Sequence, residues 1–130
     1  MATWADLTSY IRSNYKIAEE RPGLIKLVFE TGNLRSQVVL IWHLTLADAE
    51  EEWVQIESSF GDLGSVNLAR ALQEIGNTVC GGMALTGDLV TFRHAVPLLN
   101  LNINEFERPL ALVTTTADHL EHLLTGADRY

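Results

Sequence analysis

The sequence predicts an α+β fold: helix, three strands, helix, two strands, helix, with an antiparallel sheet packed against the helices. Three observations predict it. Apolar residues recur at steps of three and four in the first and last segments. Between them, apolar and polar residues alternate or run continuously, as strands do. Gly, Asn, Asp and Pro clusters punctuate the chain wherever the pattern changes. At 130 residues the chain is near the modal domain size and reads as one domain, 1–130.

The first helix is capped by Thr3, has Asp6 in its first turn, and carries Trp4, Leu7, Ile11 and Tyr15 on one face. A polar turn ending in Arg21-Pro22-Gly23 follows. Residues 24–30 alternate, with Leu24, Lys26, Val28 and Glu30 on one side and Ile25, Leu27 and Phe29 on the other. Thr31-Gly32-Asn33 is a hairpin turn. Residues 36–46 form a central strand, the charged stretch 48–52 a turn, and residues 52–60 a third strand, giving an antiparallel meander.

Ser65 is the expected cap of a helix over 66–75, whose stripe is Leu68, Leu72 and Ile75 and whose end is Gly76-Asn77. Strands 79–85 and 89–97 then flank Thr86-Gly87-Asp88, with Val90, Phe92, His94 and Val96 sharing one face. The last helix carries Phe106, Leu110, Val113, Ala117, Leu120 and Leu124 at helical spacing. Asn104 and Glu107 have the spacing of a capping box, and Gly126 is the expected stop. Pro109 leaves two starts open: a helix from Glu105 kinked in its first turn, or one from near Arg108.

Hydrophobic residues are 47% and charged residues 20% of the chain, which excludes a disordered class. Seventeen acidic and nine basic residues give a net charge of -8, which argues against sequence-independent binding to a phosphate backbone. The one cysteine, Cys80, precludes an internal disulfide and suits a reducing cytoplasm. Residues 1–6 lack the basic and apolar regions of a signal peptide. The longest aliphatic-aromatic run, residues 38–42, is far shorter than the roughly 20 residues of a membrane helix. The expectation is a cytoplasmic protein with neither a nucleic-acid nor a membrane partner.

No catalytic constellation emerges. His119 and His122 sit three apart beside Asp118 and Glu121, but a zinc site needs three or four converging ligands. A solvated helix end, where positive charge complements the dipole, is the favoured reading. His43 and His94 read as hydrogen-bonded sheet residues. Ser58, Ser59 and Ser65 lie outside any nucleophile elbow, and Cys80, with nothing electropositive nearby, reads as a quiet, partly buried thiol. Gly81-Gly82 and Gly61-x-x-Gly64 are not phosphate loops, and the acids of 48–52 lack the alternation of a calcium loop. No metal site and no cofactor are expected.

The order of elements resembles the type III secretion chaperone-like fold and, within it, the YbjN-type proteins. Residues 66–124 carry most of the resemblance. They include Asn67-Leu68-Ala69-Arg70-Ala71-Leu72 for the middle helix and Cys80-Gly81-Gly82-Met83-Ala84-Leu85 for the fourth strand. Leu89-Val90-Thr91-Phe92-Arg93-His94-Ala95-Val96-Pro97 matches the fifth strand and Ile103-Asn104-Glu105-Phe106-Glu107-Arg108 the opening of the last helix. The resemblance implies a non-enzymatic, chaperone-like protein that binds a segment of a client protein as a homodimer.

A chain this short cannot cover both faces of such a sheet with three helices, and leftover apolar surface favours association. Leu72, Met83, Phe92 and Val96 are the candidates for the dimer face. Trp42 and Trp53 are the candidates for client contact, core packing being the simpler reading of both. Two alternatives stand beside this: a small metal- or ligand-binding enzyme using His119 and His122, and a regulatory subunit of a hetero-complex.

Overall fold

The computed structural model describes residues 3–32, 34–46, 48 and 50–125. It is α+β: α1 (Trp4–Asn14), β1 (Ile17–Arg21), β2 (Leu24–Gly32), β3 (Arg35–Leu46), β4 (Glu51–Asp62), α2 (Leu68–Ile75), β5 (Gly82–Thr86), β6 (Leu89–Pro97) and α3 (Ile103–Thr125). The strands form one antiparallel sheet in the order β1-β2-β3-β4-β6-β5. The meander is as expected, and β6 returns beside β4, leaving β5 at the edge.

The sheet has six strands, one more than expected. The extra strand is β1, in the stretch read as a polar turn. It is an edge strand paired only with β2, and none of its residues is fully buried. Ala-Glu-Glu-Arg therefore needs no apolar alternation there. Pro22-Gly23 is the hairpin turn between β1 and β2, with Gly23 at φ +77°, a conformation that glycine adopts without a Cβ penalty.

α1 is capped as expected, Thr3 accepting from the Asp6 amide at 3.1 Å, with Leu7 and Ile11 buried. α2 is capped by Asn67, not Ser65, its Oδ1 accepting from the Arg70 amide at 3.1 Å. Ser65 belongs instead to a turn in which its amide and that of Val66 donate to the Asp62 carbonyl.

The capping box of α3 lies two residues earlier than the spacing suggested. Asn102 Oδ1 accepts from the Glu105 amide at 2.9 Å, and the Asn102 amide donates to Glu105 Oε1 at 3.1 Å. Neither start considered for this helix holds. It begins at Ile103 and carries Pro109 inside it, where the ring removes the amide that would bond one turn back. The expected stop at Gly126 lies outside the described residues. Replacing Asn102 by alanine is expected to cost about 1 kcal/mol, measured by urea denaturation, whereas Asn104→Ala should be near neutral.

One core forms where α1 and α3 cover a single face of the sheet. Ile25, Leu27, Val39, Ile41, Val54 and Ile56 rise from the strands to meet Leu7, Ile11, Phe106, Leu110 and Val113. Leu98 and Leu101, between β6 and α3, close its end. Among the described residues, no helix is long and apolar enough to cross a membrane.

Candidate functional site: the helix-free face of the sheet

Because strand side chains alternate, each core residue of β2, β3, β4 and β6 leaves its neighbours on the opposite face, and no helix of the described chain lies there. Registers assemble this face in rows. One runs Arg21, Leu24, Trp42, Gln55, Ala95, and the next Glu19, Lys26, Leu40, Glu57, Arg93. A third sets Leu44 beside Trp53 and Pro97.

The face is apolar for a surface. Val28, Leu44 and Leu46 are 48%, 40% and 48% exposed, while Val38, Leu40, Trp42 and Trp53 are half-buried. Leu24 is only 7% exposed, enclosed between its cross-strand neighbours Arg21 and Trp42. A groove of about 400 Å³ lies over this region, lined by Arg21, Leu24 and Lys26 from β1 and β2, by Val38, Leu40 and Trp42 from β3, and by Ser59 and Leu89 from β4 and β6.

A buried carboxylate fixes the centre. Glu57 is 3% exposed and accepts from Trp42 Nε1 at 3.3 Å, Thr86 Oγ1 at 3.1 Å and Thr91 Oγ1 at 3.3 Å. These donors compensate its desolvation and hold the Trp42 indole in one orientation on the face. Trp53 differs: its Nε1 is buried without a hydrogen-bond partner, a state that costs about 1–3 kcal/mol.

The two tryptophans named from sequence thus share one face, and neither belongs to the helix-covered core. Sequence reasoning missed Glu57, the group that orients Trp42. Its only sign was a Glu in an alternating strand, indistinguishable from a solvated one.

The dimer-face candidates divide. Leu72 is 59% exposed, and Met83 and Val96 are half-buried against the core. Phe92 is a correction: it is fully buried, facing the core in the row Met83, Phe92, Ser58, and offers no surface to a partner. α2 carries its stripe largely outward, with Ala71 its buried residue and Leu68 39% exposed.

The histidines scatter. His43 stacks on Trp4 with ring centroids 5.2 Å apart and meets Glu52 at 2.9 Å, and His94 Nδ1 accepts from the Gly81 amide at 3.1 Å. His119 and His122 are exposed, the latter 3.5 Å from Arg35. Among the described residues, no group of three or more His, Cys, Asp or Glu side chains is placed to hold a metal ion. Burial pushes the Cys80 thiol up, away from the reactive thiolate.

On the helix side, the Tyr10 and Tyr15 hydroxyls both donate to Glu107, tying α1 to α3. Tyr10 is raised chiefly by its hydrogen bond to Glu107, and Tyr15 is raised chiefly by burial and then by the same carboxylate. Their contribution is therefore present in full below the unfolded phenol value of about 10 and lost as pH climbs through the raised folded values. Unfolding followed against pH should show wild-type stability falling above pH ~10, and falling less steeply in Tyr15→Phe. Equal slopes would contradict this.

Comparison with protein-family models and with curated proteins finds no match for this chain.

Proposed function

We propose that this chain is a non-enzymatic, chaperone-like module that binds an extended segment of a client protein on the helix-free face of its sheet, working as a cytoplasmic homodimer. The observation that carries the reading is that face itself, where Trp42, Trp53, Leu44 and Leu46 stand on a sheet that no helix among the described residues covers. Aromatic residues in such a setting supply large contact area at little entropic cost. The resemblance to type III secretion chaperone-like and YbjN-type proteins supports the same reading. The outward stripe of α2, Leu68 and Leu72, beside the edge strand β5, supports self-association at a separate surface. The client face and the dimer face therefore need not compete.

Two variants test the division. Leu72→Glu is expected to convert a dimer to a monomer in light scattering while leaving client retention weakened but detectable. Trp42→Ser with Trp53→Ser is expected to leave the dimer intact and to abolish retention of the protein that wild type holds from a host lysate. A wild-type monomer that retains nothing contradicts the reading.

A further inference from the structure

A second concavity lies on the opposite side of the molecule. β2 outlasts β1: pairing ends with Ile17 opposite Leu27, whereas β3 accompanies β2 to Gly32. The outer edge of residues 28–32 therefore has no paired strand among the described residues. α3 runs past it, and the space between is a groove of about 430 Å³, within the size range of small-ligand sites.

Its floor is apolar, with Phe29, Leu110 and Ala111. Tyr15 and Phe29 meet edge to face with centroids 5.8 Å apart and planes at 84°, making an aromatic corner whose ring faces are electron-rich. The lining holds three carboxylates, Glu30, Glu107 and Asp118, and no Lys or Arg. Asp118 is engaged by Arg35, and Glu107 is held in place by its two phenols. Thr31 Oγ1, in the same lining, is buried and has no hydrogen-bond partner.

We propose that this groove binds a small organic ammonium ion. The cationic head lies against the aromatic corner and Glu107, and a short aliphatic chain covers Leu110 and Ala111. Perpendicular rings beside a fixed carboxylate attract an ammonium group by its charge and its polarised C–H and N–H edges together. An anion is repelled by Glu30 and Glu107, Asp118 being compensated by Arg35, and a neutral alcohol gains only the apolar floor.

The test uses hexylammonium, hexanol and hexanoate as probes, followed by methyl NMR shifts of Leu110 and Ala111. Hexylammonium should bind saturably, at least about tenfold more tightly than hexanol, with hexanoate weakest. Ala111→Leu, on an exposed helix position, should fill the groove and weaken binding by about tenfold or more without loss of fold. Glu107→Gln should erase the preference for hexylammonium over hexanol. Equal binding of hexylammonium and hexanol overturns the proposal, as does undiminished binding to Ala111→Leu or no saturable shift up to roughly 20 mM.

Discussion

Replacing Arg35 by methionine is expected to lower the free energy of unfolding by about 3–5 kcal/mol. Arg35 opens β3, and its guanidinium reaches α3 at Asp118 Oδ1, 3.2 Å, and Glu121 Oε1, 3.6 Å, with a further contact to the Asp118 carbonyl at 3.4 Å. The Glu121 side chain is fully buried and that of Arg35 only 15% exposed. Without the guanidinium, the buried Glu121 side chain loses a cation 3.6 Å away, and the second half of α3 loses a polar tie to β3 that supplements its apolar packing through Ala117 and Leu120. The double variant Arg35→Met with Glu121→Leu should recover most of the loss, because well-packed apolar groups replace a buried pair at little net cost. Urea denaturation at unchanged slope checks both. A single-variant loss under about 1 kcal/mol would mean the pair acts as a surface bridge does.

Gly81→Ala is expected to cost about 3 kcal/mol or more, from backbone strain and overpacking together. Gly81 has φ +85°, and a Cβ there would stand 2.4 and 2.7 Å from the Phe92 ring and 3.1 Å from the Arg93 carbonyl. Phe92 is fully buried, so the ring cannot swing aside. The neighbouring Gly82 has no atom within 4 Å of its notional Cβ. Gly82→Ala should therefore stay within about 0.5 kcal/mol of wild type, which makes the pair an internal control. Thermal unfolding of both variants reads the contrast; similar losses would place the cost in the strand and not in the close approach to Phe92.

These two sites show what the residues announced and what they concealed. Helix periodicity located α1 and α3 because each meets a core along a stripe, and continuous Val-Ile-Trp character located β3 because the strand is central. β1 was invisible because an edge strand with one neighbour needs no apolar face. The caps of α2 and α3 each fell two residues away because several Ser and Asn residues compete at these helix starts, and only backbone geometry decides among them. Trp42 and Trp53 were legible as candidates from residue type alone. Their common face depended on register, which periodicity of two carries only once the pairing is known. Phe92 was misplaced because alternation says which residues share a face, not which face the helices cover. Glu57 and the Tyr10–Glu107–Tyr15 contact join residues far apart in sequence, and no local pattern marks them.

The central claim is that the helix-free face holds a segment of another protein. A benzophenone side chain introduced at Leu44, which is 40% exposed on that face, tests it most directly by photo-crosslinking in the host cell. A matching probe at Ser13, exposed on α1, is the control. The account predicts a discrete adduct from Leu44 with a different polypeptide, absent from the Ser13 probe and lost when Trp42→Ser is added. An adduct only with a second copy of the chain, or none beyond the Ser13 background, would contradict it.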